Sequence, residues 1–355
     1  MYRVFAGCLL LGLSACGASA ADFASSDPPP ATTASDAGRN ARSDHGLSRI
    51  AQAEILLDRD HFSPGVIDGR DRDNFKKALK AFQEVNKLPA TGALDDATWA
   101  ALSGHDSAPA LVRYTISETD VRGPFSKRVP RNLVQMSRLR GLSYRSPLEE
   151  IAEKFHMREE LLRRLNRRAH FDRAGTEIDV ANVPPMQLRP SRHTVVAVPQ
   201  KSNSADELVA TIVVDKPARE VRGYAKDGRL LAFYPATIGS EEKPAPSGTF
   251  SVRRVAWNPD YHYDPKFAWR GVRTRRKLTI RPGPKNPVGL VWIDLTAPSY
   301  GIHGTPDPQQ IGKTESHGCI RLTNWDAAAL AGMVKPGTVV KFEDQDTPAA
   351  VNPNS

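Results

Sequence analysis

The chain has 355 residues, 40% of them hydrophobic, and sets 49 Lys and Arg against 40 Asp and Glu for a formal net charge of +9. That length allows two or three domains with an ample core, and a total of three cysteines excludes a disulfide framework. The basic balance favours anionic partners, although the export signals that open the chain exclude nucleic acid.

Arg3 precedes a short apolar run over residues 4–13. It is too short to span a bilayer and reads as the core of a signal peptide. Two processing sites compete. Leu13-Ser14-Ala15-Cys16 has the form of a lipobox, in which Cys16 becomes the lipidated first residue, and Ala18-Ser19-Ala20 has the form of an ordinary cleavage site. The lipobox is preferred because the apolar run stops immediately before Cys16. Residues 1–15 are then the signal peptide and Cys16 is a membrane anchor. In a Gram-negative host, Gly17 after the anchor points to the outer membrane and a periplasmic location. Residues 16–45, rich in Ala, Ser, Asp and Pro, form a disordered tether.

Residues 46–104 form a first compact unit. Leu47, Ile50, Ala53 and Leu57 trace one helical face, and Phe75, Ala78, Leu79 and Phe82 a second. Pro64-Gly65, Asp68-Gly69 and Thr91-Gly92 supply turns. Asp95 can cap a third helix carrying Trp99 and Leu102. This predicts a small three-helix bundle. The order Phe62, Pro64-Gly65, Asp68-Gly69, Ala78, Phe82-Gln83, Thr91-Gly92, Thr98-Trp99 and Leu102 resembles the peptidoglycan-binding type 1 domain, and wall binding is what that resemblance implies.

Residues 105–143 read as a loop-rich connector. In residues 144–190, Pro147 opens one helix, Glu159 to Leu165 form another, and Ile178 and Val180 belong to a closing strand. This βααβ outline resembles a LysM-like module, which implies binding to amino-sugar polymers; the alternative is a helical spacer. Residues 191–205 are a linker. From residue 206 to 344 short β-rich runs alternate with turns at Asp227-Gly228 and Ser247-Gly248, with no long helical pattern before Thr323. The expected architecture is therefore multidomain α+β: helical bundle, small βααβ unit and a mainly-β C-terminal domain. Residues 345–355 are a polar tail.

The chemistry concentrates in residues 303–321. Beyond Cys8 and Cys16 the chain keeps one thiol, Cys319, preceded by Ser316-His317-Gly318 and by His303 16 positions earlier. A single sulfur kept in an exported chain points to nucleophilic catalysis. Other readings are a buried small side chain or a zinc site of His303, His317 and Cys319, for which no fourth ligand is evident. His303 with Ser316-His317-Gly318-Cys319, flanked by Pro246-Ser247-Gly248-Thr249, Asn286-Pro287, Gly289, Trp292 and Gly304-Thr305, resembles the YkuD-type L,D-transpeptidase catalytic domain. Arg321, two residues after the cysteine, replaces the Asn of some members.

The resemblance implies these roles. Cys319 is the nucleophile and His303 the general base, with the Gly304 carbonyl orienting the imidazole. Backbone N–H groups at Gly318 and Cys319 receive the oxyanion. Ser316, His317 and Arg321 contact substrate, Arg321 as a carboxylate clamp. His317 also reads as a structural residue and Arg321 as a solvated charge. The implied reaction joins Cys319 to the third residue of a peptidoglycan tetrapeptide stem, releases D-Ala and transfers the acyl group to an amine, on another stem or on an exported protein. No metal or other cofactor is needed. Hydrolysis by the same Cys–His pair, a carboxypeptidase outcome, and a wall-binding structural lipoprotein are the alternatives.

Overall fold

In the computed structural model the described residues are 46–105, 107–186, 208–240, 243–267, 274–314 and 318–344. The export segment, Cys16, the tether and the polar tail lie outside them, as does most of the linker.

The first helix, α1 (Arg49–Arg59), starts at Ser48, whose hydroxyl accepts from the Ala51 N–H. It was expected to bury one face and buries two. Ala53, Leu56 and Leu57 pack with Phe75, Leu79 and Phe82 of α2 (Asp73–Val85) and Leu102 of α3 (Asp96–His105). Leu47, Ala51 and Ile55 belong to the core of the next unit. The carboxylate of Asp95 accepts from the Thr98 N–H at 2.7 Å, the cap expected for α3. Buried Gln83 ties the Thr91–Gly92 turn to α3: it accepts from the Gly92 N–H at 2.8 Å and donates to the Thr98 hydroxyl at 2.8 Å.

The connector proves to be structured. It holds strand β1 (Leu111–Thr115) and two short helices, α4 (Glu118–Arg122) and α5 (Leu133–Met136). After α6 (Pro147–Lys154) and α7 (Glu159–Leu165), strand β2 (Glu177–Ala181) pairs antiparallel with β1, Leu111 opposite Ala181. The βααβ outline assigned to residues 144–190 is therefore corrected: among the described residues the strand that partners β2 lies in the connector at Leu111–Thr115, and four helices, α4 to α7, stand between the two strands. Leu111-Val112-Arg113-Tyr114-Thr115 has strand propensity, but its partner lies more than sixty residues downstream.

The C-terminal unit comprises β3 (Thr211–Asp215), β4 (Glu220–Tyr224), β5 (Leu230–Pro235), β6 (Thr237–Ile238), β7 (Gly248–Trp257), β8 (Tyr261–Tyr263), β9 (Leu278–Ile280), β10 (Val291–Leu295), β11 (Gly301–His303), β12 (Ile320–Arg321), α8 (Asn324–Met333) and β13 (Val339–Glu343). Nine strands form one sheet in the order β5-β4-β3-β13-β7-β10-β11-β12-β6, and β8 and β9 pair separately. Ten-residue β7 joins the two halves, pairing with β13 through its first residues and with β10 through its last. Alternating Ile212, Val214, Val291, Ile293, Leu295, Val340 and Phe342 point into one core, closed by Trp325 and Leu330 of α8.

The three units are joined through buried contacts. Phe233 of β5 completes the core of the helical bundle. Its N–H donates to the His61 carbonyl at 2.8 Å, and its carbonyl accepts from the Ser63 N–H at 2.9 Å. Ile67 makes a similar backbone bridge to the middle unit at Met157. His156 donates to Asp58 at 2.9 Å and stacks on Trp325 at 5.1 Å, so one imidazole touches all three units.

Candidate active site

Three adjacent strands build the site. His303 ends β11, opposite Trp292 of antiparallel β10 and Arg321 of parallel β12. Cys319 immediately precedes β12, so strand pairing sets it beside Gly301–His303. The segment 301–303 is fully buried. The Trp292 indole stacks on the His303 ring, with centroids 5.4 Å apart and planes 18° apart. It also explains Gly301, where an added Cβ would lie 2.6 Å from that indole.

The Nδ1–H of His303 donates to the Gly304 carbonyl at 2.7 Å. A carbonyl can only accept, so the proton sits on Nδ1 and Nε2 keeps its lone pair. Burial, reinforced by the positive charge of Arg321, lowers the imidazole pKa to about 3, against the opposing pull of the Gly304 carbonyl. Burial pushes the Cys319 thiol up, partly offset by backbone hydrogen bonding at Gly301 and by the charges of Arg321 and Lys243. The resting pair is therefore a neutral thiol and a neutral imidazole. Such a pair transfers its proton as the sulfur attacks, rather than holding a preformed thiolate.

Gly318 has φ +99°, a conformation side chains rarely adopt, and an added Cβ would meet the Tyr300 ring at 2.9 Å. The chain can turn into Cys319 only because residue 318 has no side chain. Arg321 is largely withdrawn from solvent and faces Cys319 and Tyr261; burial lowers its pKa. Tyr261 of β8 has its phenol pushed up by burial and by its nearness to Cys319.

The structure thus brings together Cys319, His303, Gly304, Gly318 and Arg321. Ser316 and His317 lie outside the described residues. Sequence reasoning passed over Lys243 and Tyr261, which sit far from the motif in the chain and carry no local signature. Trp292, which the sequence offered only as a residue flanking the motif, lies against the His303 ring. Among the described residues no cluster of three or more His, Cys, Asp or Glu is placed to hold a metal.

Residues 210–342 match the family model described as "L,D-transpeptidase catalytic domain", and residues 47–102 match the "Putative peptidoglycan binding domain". The chain is 33% identical over 137 residues to the "Putative L,D-transpeptidase YkuD" of Bacillus licheniformis, covering 39% of this chain and 67% of that protein. It is 32% identical over 141 residues to the "Putative L,D-transpeptidase YqjB" of Bacillus subtilis, covering 38% of this chain and 72% of that protein. A solved L,D-transpeptidase from Mycobacterium smegmatis is 24% identical, with TM-score 0.31, over 50% of this chain and 77% of that one. The chain belongs to the L,D-transpeptidase family, with a YkuD-type catalytic domain behind a peptidoglycan-binding domain.

Proposed function

We propose that this enzyme takes a peptidoglycan tetrapeptide stem as acyl donor, forms a thioester on Cys319 and passes the acyl group to an amine. The observation that carries the reading is the hydrogen bond from His303 Nδ1 to the Gly304 carbonyl, which leaves Nε2 basic on the strand beside Cys319. In the first half-reaction Sγ bonds to the carbonyl carbon of the third stem residue and its proton passes to His303 Nε2. The oxyanion is received by backbone N–H groups at Gly318 and Cys319. As the C–N bond to D-Ala breaks, His303 returns the proton to the departing nitrogen. In the second half-reaction an amine attacks the thioester and gives its proton to His303; the C–S bond breaks and the thiol is restored. Arg321 and Lys243 supply positive charge for stem carboxylates.

A domain that holds polymer beside the site raises the effective concentration of stems, which is the part assigned to the helical bundle. The same reading places the enzyme outside the cytoplasm on a lipid at Cys16, supported by Leu13-Ser14-Ala15-Cys16. The deciding experiment is mass spectrometry of wild-type protein and Cys319→Ala after incubation with disaccharide-tetrapeptide. A cross-linked dimer formed by the wild type alone is the expected result. Tripeptide and free D-Ala without dimer would replace transfer by hydrolysis, and identical traces from the two proteins would reject the reading.

A further inference from the structure

We infer that Glu153 is a positioning residue for His303, acting from α6 of the middle unit, outside the catalytic domain, through Asn324. The inference rests on His303 being the base of the proposed reaction, and it begins with Asn324, the first residue of α8, which is fully buried. Its Nδ2 donates to Glu153 Oε1 at 2.6 Å. That bond fixes the amide orientation and aims Oδ1 the other way, where it accepts from the Leu290 N–H at 3.0 Å. The oxygen fills a slot between two backbone segments. An added Cβ at Gly289 would lie 2.0 Å from it, and one at Gly304 would lie 2.1 Å from it. Gly304 is the residue whose carbonyl holds His303 Nδ1.

A second strut runs in parallel one helical turn earlier. Glu149 Oε1 of α6 pairs with Lys285 Nζ at 2.7 Å, and the same Nζ donates to the Pro306 carbonyl at 2.9 Å. Helix α6 therefore grips the segment after His303 at two points, Gly304 and Pro306. Both grips use buried polar groups, and losing one partner strands the other away from water. The groups facing Glu153 are Asn324 of α8, Lys285 of the loop before β10, and Glu149 and Tyr144 of its own unit. Proton transfer tolerates little displacement of the base, and a misplacement of about 1 Å costs on the order of 100-fold in rate.

The test uses the full-length chain. Glu153→Met keeps the side-chain volume and removes the acceptor; Glu153→Gln keeps an acceptor oxygen. Two readouts are taken: steady-state turnover of disaccharide-tetrapeptide with an amine acceptor, and the rate of Cys319 alkylation by iodoacetamide against pH. The expected result for Glu153→Met is a kcat lowered about 10- to 100-fold with KM nearly unchanged. Its alkylation profile should also move to lower pH, because a loosened, better solvated imidazole regains proton affinity and stabilises thiolate. Glu153→Gln should restore both towards wild type. Wild-type kcat and alkylation in folded Glu153→Met would overturn the inference, as would equal loss in Met and Gln variants. Should Glu153→Met fail to fold, Lys285→Met tests the second strut by the same readouts while Arg145 still pairs with Glu149. A wild-type chain that yields no product but shows a Glu153-dependent alkylation profile would sink the transfer reading and keep the positioning role.

Discussion

At His303 and Cys319 the choice of protonation state is made by burial. An imidazole lowered to about 3 and a thiol held above its usual range coexist as neutral groups. The expected alkylation rate of Cys319 in the wild type therefore climbs steadily through pH 9 and above. A plateau between about pH 5 and 8, the mark of a thiolate–imidazolium pair, would contradict the neutral pair. Gly301 offers a steric test of the same site. Gly301→Ala places a methyl 2.6 Å from the Trp292 indole, which must leave its stack on His303. A kcat loss of about 10- to 100-fold is expected, with retained binding of substrate. That Cys319, His303 and Gly304 lie together was legible because the motif packs them into nineteen residues. Lys243, Tyr261 and Asn324 were not, because each reaches the site through the tertiary fold. Asn324 reads only as the residue after a helix cap.

Helix α8 shows how one element joins stability to the site. The Thr323 hydroxyl accepts from the Asp326 N–H at 3.0 Å and so caps the start of the helix, four residues after Cys319. Inside it, Asp326 is fully buried and raised to about 7, mainly by burial and then by Asp58. Across the junction Glu153 of α6 is raised to about 7, again first by burial. A carboxyl raised in the folded state contributes its full stability below its unfolded pKa, and loses it as pH climbs to the folded value. Stability should therefore fall between about pH 4 and 7, by on the order of 3 kcal/mol for each group, and level off above. Asp326→Asn should flatten that fall and raise Tm at pH 8; a Tm–pH curve parallel to wild type would contradict the assignment. Thr323 followed three residues later by Asp326 has the form of a helix start in the sequence. The buried charge was not readable, because a sequence shows an acid at the third helical position and cannot show Asp58 facing it. Strand β1 was missed for a similar reason: a lone strand has meaning only beside its partner.

On the scale of the molecule, the expected string of separate modules becomes three units with shared cores. Helix α1 serves two of them, and Phe233 carries the third into the bundle. Arg222 of β4 adds an ion pair of 2.7 Å to Glu84 of α2. Calorimetry should therefore give one cooperative transition, with calorimetric and van't Hoff enthalpies in agreement. Two resolved transitions, one from the catalytic domain alone, would show that the shared cores do not couple. The first and last domains were visible in the sequence, as patterned segments matching residues 47–102 and 210–342. The docking was not, because it depends on which faces meet and not on which residues follow one another.

The backbone bonds between Phe233 and residues 61 and 63 carry a further consequence. Strand β5 is the last strand on its side of the sheet, and an open border of unpaired amides and carbonyls invites a strand from another molecule. Here one donor and one acceptor on that border are already taken by the protein's own loop, with the bundle standing over them. Without the bundle that border would be bare, so the domain assigned to wall binding also covers a strand edge of its neighbour.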